Sequence, residues 1–142
     1  MGDAEVNDKL IDGTLDQTRG ENAHVSTRAA LCKLERAEGV RSVMLFEHGT
    51  LQVKMYAPRG PNGELIDPQV PHSRDELYVV AQGSGTFFNG KTRRECSIGD
   101  LLFAPAGSEH RFEAFTGDFA VWVMFYGPEG GENGLDESEI GN

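Results

Sequence analysis

The chain is poor in several features that mark large functional classes. Only two of its 142 residues are cysteine, Cys32 and Cys96, too far apart for a metal or redox motif. Neither has a His close by in sequence, so reduced structural thiols and a cytoplasmic location are expected. Positive charge is scarce: the formal net charge is −10, and no basic cluster exceeds Arg93-Arg94. A nucleic-acid partner is therefore not expected. The longest apolar run, Phe119 to Tyr126, has eight residues, too short to span a bilayer. Met1 to Glu5 is acidic and no apolar stretch follows, so no secretory signal and no membrane association are expected. Neither Ser84 nor Ser108 sits in a Gly-x-Ser-x-Gly frame. Gly83-Ser84-Gly85 is not followed by a helical pattern, which excludes a phosphate cradle of the loop-and-helix kind.

What is present is concentrated in the middle. All twelve aromatic residues lie between Phe46 and Tyr126. Residues 26–126 hold 12 acids and 11 bases, whereas residues 1–25 hold 6 acids and 2 bases and residues 127–142 hold 5 acids and no base. The reading is one folded domain over 26–126, an acidic extension over 1–25, and an acidic tail over 127–142, flexible after about Glu132. Leu10, Ile11 and Leu15 allow at most one short helical turn in the extension. The tails imply nothing beyond solubility.

Within the domain, a helix is expected from Thr27 to Glu38. Ser26 and Thr27 provide the cap, apolar residues fall at 30, 31 and 34, and Gly39 ends it. From Arg41 the apolar period becomes two. Strands are expected over 42–47, 51–57, 76–81, 86–88, 93–98, 101–104, 110–115 and 119–126, each bounded by Gly, Pro, Asn or Asp. Asn89-Gly90 predicts a type I′ hairpin turn, and residues 58–71 form a long loop at a barrel rim. Eight short strands without an interior helix give an all-β fold, a small jelly-roll barrel. Residues 119–126 are apolar on both faces, so the N-terminal helix or a second subunit must cover one of them.

Four histidines are available. His24 and His48 read as exposed loop residues. His72 and Glu76 are four apart on what reads as one strand, so they face one side of the sheet, and His110 opens another strand. Two imidazoles and a carboxylate on one face suit a divalent transition metal with open positions. The plainer alternative is that His72 caps a loop, Glu76 pairs with an arginine and His110 makes a rim hydrogen bond. By alternation Tyr78 and Val80 follow Glu76 inward, and Phe112 and Ala114 follow His110. Leu51, Val53 and Met55 form the apolar face of their strand. A mostly apolar pocket containing Met55, Tyr78 and Phe112, with one phenol, would take a small, partly hydrophobic substrate. Arg74 is expected to pair with Asp75 or Asp67.

Two stretches carry a family resemblance. Gly99, Pro105, Gly107 and His110 stand at the spacing of the second cupin motif, although Ala114 occupies the place of its usual Asn. His72, Glu76 and the Gly83–Gly85 turn resemble the first motif, with His72 as its second His and Val70 in the place of its first. The resemblance implies a cupin-type double-stranded β-helix over about 41–126. It implies a metal site reduced to His72, Glu76 and His110. Gln69, beside the vacant place, is a candidate to turn inward as a weak oxygen donor, though not one of the expected ligands. A two-His-one-carboxylate set favours Fe(II) and dioxygenase chemistry, with zinc, manganese or nickel as alternatives. A metal-dependent isomerase, lyase or cyclase, or a non-catalytic small-ligand-binding barrel, are the rival readings. A homodimer is expected from the same resemblance.

Overall fold

The structure is a computed structural model that describes residues 24–132. Residues 1–23 of the expected extension, with the helical turn at Leu10–Leu15, and residues 133–142 of the expected tail lie outside the described residues.

The helix forms where its cap places it. α1 spans Thr27–Arg36, and the Ser26 hydroxyl accepts a 3.0 Å hydrogen bond from the Ala29 amide. It ends two residues before the expected Glu38. The Ala37 amide bonds to the Leu34 carbonyl at 3.1 Å, tightening the last turn, and Gly39 then takes a positive φ of 81°.

Eight strands follow: β1 (Ser42–His48), β2 (Leu51–Tyr56), β3 (Asp75–Gln82), β4 (Ser84–Phe88), β5 (Arg93–Ser97), β6 (Leu101–Ala104), β7 (Arg111–Glu113) and β8 (Ala120–Tyr126). They make a five-stranded sheet, β1-β2-β8-β3-β6, and a three-stranded sheet, β5-β4-β7. Every pairing is antiparallel. The barrel core lies between the sheets. Tyr78, Val80, Val121 and Val123 from the large sheet meet Phe87, Cys96 and Phe112 from the small one. A second cluster lies on the outer face of the large sheet, where Ala30 of α1 packs on Leu45, Met55 and Ala120. So α1 covers the Ala120 end of the second face of β8, with Trp122 partly buried beside it, while Met124 and Tyr126 further along that face stay half-buried.

Three local differences from the sequence reading have clear causes. The β4–β5 connection is not a two-residue type I′ turn. Gly90 has φ 97° while Asn89 keeps a negative φ, and the Asn89 side chain accepts from the Lys91 and Thr92 amides at 3.0 and 2.9 Å. β7 is three residues long rather than six, because Ala114 adopts φ 48° and turns outward to solvent. Arg74 forms no pair with Asp75 or Asp67; its Nε donates to the Gly127 carbonyl at 2.9 Å and its Nη1 to Gln52 at 3.2 Å. It joins the β1–β2 turn to the end of β8. The chain also remains on the barrel after Tyr126: the Gly130 amide bonds to the Ser73 carbonyl at 2.7 Å, and the Glu132 amide to Asp75 at 2.8 Å.

Candidate metal centre

β3 carries Glu76 and Tyr78 on its inner face, each 1% exposed. His72 is not on that strand, which begins only at Asp75. It is placed by its backbone: the His72 carbonyl accepts from the Gly107 amide at 2.7 Å. Gly107 belongs to the Pro105–Gly107 turn that delivers His110, so one backbone bond couples the two histidine-bearing loops. Asp75 reinforces the link by accepting from the Ala106 amide at 2.8 Å.

The three expected ligands converge. One donor atom from each of His72, Glu76 and His110 lies within 4.8 Å of the others. His72 Nδ1 is 2.6 Å and His110 Nε2 is 3.2 Å from Glu76 Oε2. The short His72 contact lacks hydrogen-bond alignment, so both Nδ1 and Oε2 are buried without a hydrogen-bond partner. Unpaired buried polar atoms are costly, and aiming at a common centre is how metal ligands behave before the ion is added. The residues present therefore fit a divalent ion. His110 is also oriented for it: Nδ1 contacts the Ser108 carbonyl at 3.0 Å, leaving Nε2 to face Glu76.

The electrostatics follow from the packing. Burial pushes the Glu76 carboxyl up, but contacts with His110, His72 and Tyr78 outweigh it and hold it down at about 2. Burial pushes His110 down, and the adjoining Glu76 carboxylate more than reverses this, so its pKa is raised. Burial, together with Glu76, holds the Tyr78 phenol well above its ordinary value, so it keeps its proton. Its hydroxyl lies 2.8 Å from Glu76 Oε1, 3.0 Å from His110 Nε2 and 3.1 Å from Gln69 Oε1.

A cavity of about 320 Å³ opens beside the cluster. His72, Tyr78, Gln69, Tyr56, Lys54, Arg41, Val123 and Phe125 are among its walls. It is more polar than the sequence suggests and contains two phenols. Of the three proposed pocket residues, only Tyr78 lines it. Phe112 is a core residue behind Tyr78, with ring centroids 5.0 Å apart. Met55 faces the other way, into the cluster beneath α1. The strand alternation is as read, but the face is reversed: the apolar side of β2 meets the helix, and Lys54 and Tyr56 face the cavity. Lys54 and Tyr56 were legible as the polar alternates of β2 once the helix was assigned to its apolar side. Asp67 is a further residue with no signal in the sequence. It is 8% exposed and accepts from Tyr56, Gln69 and the Phe112 amide, the last at 2.8 Å. Gln69 lines the cavity, its Oε1 accepting from the Tyr78 hydroxyl at 3.1 Å and its amide nitrogen donating to Asp67, while Val70 points out at 67% exposure. His24 and His48 are exposed and away from the cluster.

Residues 60–126 match the family model described as the Cupin domain. The barrel described above is of the cupin type and agrees with that match. The chain is 35% identical over 63 residues to an uncharacterised protein of Streptomyces coelicolor, covering 44% of this chain and 60% of the relative. It is 38% identical over 64 residues to acireductone dioxygenase 1 of Pectobacterium atrosepticum, covering 42% of this chain and 37% of that enzyme. The chain thus spans less than two thirds of either relative. The crystal structure of the DMSP lyase DddQ from Ruegeria pomeroyi superposes with a TM-score of 0.51 at 24% identity, over 61% of this chain and 46% of that one. That likeness concerns the fold.

Proposed function

We propose that the protein is a metal-dependent enzyme of the dioxygenase type, with one Fe(II) held by His72, Glu76 and His110 and a small, partly apolar substrate in the adjoining cavity. The observation that carries this reading is the convergence of three donor atoms, two of them buried without hydrogen-bond partners, at the edge of an open cavity. The partial similarity to a dioxygenase supports it. An ion held there supplies Lewis-acid chemistry and, as iron, chemistry with O₂. The chain's own residues do the rest. The Ser108 carbonyl fixes the His110 ring, Tyr78 orients the Glu76 carboxylate, and Phe125 and Val123 provide the apolar wall. The free thiols of Cys32 and Cys96 agree with a cytoplasmic setting. Ile98, Leu101 and Phe103, exposed at 67%, 63% and 48% beside or on edge strand β6, provide the surface for a homodimer.

A second reading, a metal-dependent lyase, isomerase or cyclase, is favoured by Tyr78, a phenol that keeps its proton beside the ligand cluster. O₂ consumption separates the two. Protein loaded anaerobically with Fe(II) is screened against small organic acids, ketones and phenols in an oxygen electrode. Substrate-dependent O₂ uptake supports the dioxygenase. Turnover with Zn(II) or Mn(II) under anaerobic conditions replaces it with the second reading.

A further inference from the structure

The two cations in the cavity wall are not used by the metal centre. Lys54 lies on β2, paired with Val123 of β8, and its Nζ sits 5.5 Å from the centre of the Phe125 ring. Arg41 immediately precedes β1, and its carbonyl accepts from the Ala57 amide at 2.8 Å, which fixes it beside Tyr56. Among the described residues neither side chain forms an ion pair. The nearby carboxylates are already engaged: Asp67 by Tyr56, Gln69 and the Phe112 amide, Glu76 by the two histidines and Tyr78. A divalent ion would balance those two negative charges. Lys54 and Arg41 would then leave a surplus of two positive charges in one cavity of a chain whose net charge is −10. Such a local reversal of sign attracts an anion and orients it.

We propose that Lys54 and Arg41 form an anion-binding mouth that selects a small organic carboxylate. Its charged end lies on the two cations, its apolar part runs along Phe125 and Val123, and its other end faces His72 and Tyr78. This rests on the reading of the cavity as the substrate site and names the substrate class. An alternative role for Lys54, packing on the Phe125 ring, predicts no anion selectivity.

The test is calorimetric titration of the full chain with malonate, with neutral malonamide and inorganic phosphate in parallel. Wild type, Lys54→Met, Arg41→Gln and Lys54→Arg are each measured metal-free and loaded with Co(II), whose absorption spectrum reports the ligand set independently. Wild type is expected to bind malonate and not malonamide. Lys54→Met and Arg41→Gln should each weaken malonate by about tenfold or more, with Lys54→Arg largely retaining it and the Co(II) spectrum unchanged in all. Malonate binding that is unaffected by both variants, or absent from metal-free and Co(II)-loaded wild type alike, overturns the proposal. Phosphate binding tighter than malonate overturns the carboxylate assignment. Failure of wild type to take up Co(II) counts against the metal centre, and the metal-free titration then decides the mouth on its own.

Discussion

His72 Nδ1 stands 2.6 Å from Glu76 Oε2, although His72 lies outside the strand that carries Glu76. Strand alternation does not bring them together. The link is the Gly107 amide on the His72 carbonyl, with Asp75 holding the Ala106 and Glu132 amides at 2.8 Å each. Asp75→Ala should therefore damage the site from a position that contacts no substrate. It leaves two part-buried amides without their acceptor, a loss of about 1–2 kcal/mol. Denaturant unfolding should show that loss, and titration of metal should show weakened affinity.

Tyr78→Phe removes one oxygen that touches Glu76, His110 and Gln69. The ring still fills the core against Phe87 and Phe112. Folding should persist, while metal affinity falls by about 10–100-fold because Glu76 loses the donor that orients it. Competition with a chelator of known affinity measures the change.

The apoprotein should have a defined pH window. Glu76 is lowered from 4.5 to about 2, so its contribution is present above pH 4.5 and lost as pH falls toward 2. For this buried group the contribution amounts to about 3 kcal/mol. His110 is raised above 6.5, so its contribution is present below pH 6.5 and lost as pH rises through the folded value. Thermal unfolding of metal-free protein across pH should show both flanks, and Glu76→Gln should flatten them. Metal uptake runs against the His110 proton, so affinity should strengthen with rising pH through that value.

Ala114 holds φ 48° without the side-chain freedom that glycine or asparagine brings to the left-handed region. It is exposed, so replacement removes no core contact. Ala114→Gly and Ala114→Asn should each stabilise the fold by about 0.5–1 kcal/mol, read as a rise in Tm.

The same residue shows where the sequence was readable and where it was not. The strands were legible because Val, Phe and Tyr alternate between turns, and inward Glu76, Tyr78 and Val80 follow directly from that period. The shortening of β7 was not, since nothing in Ala114 itself announces a positive φ. The triad was legible from two motifs, yet the route by which His72 reaches it depends on a backbone bond between distant loops. Met55 lies outside the barrel because α1 provides a second apolar environment there, so an apolar strand face does not by itself mark the interior. Asp67 acts through side-chain and backbone contacts as distant in sequence as Phe112, which no local pattern encodes.

The central claim is that His72, Glu76 and His110 hold one metal ion. The direct test is metal content by mass spectrometry of tag-free protein, wild type beside His72→Ala, Glu76→Gln, His110→Ala, His24→Ala and His48→Ala. The account predicts close to one equivalent of iron in wild type, retained in the His24 and His48 variants and lost in the other three. No metal in wild type and none taken up on reconstitution, or equal metal in His110→Ala, would contradict it.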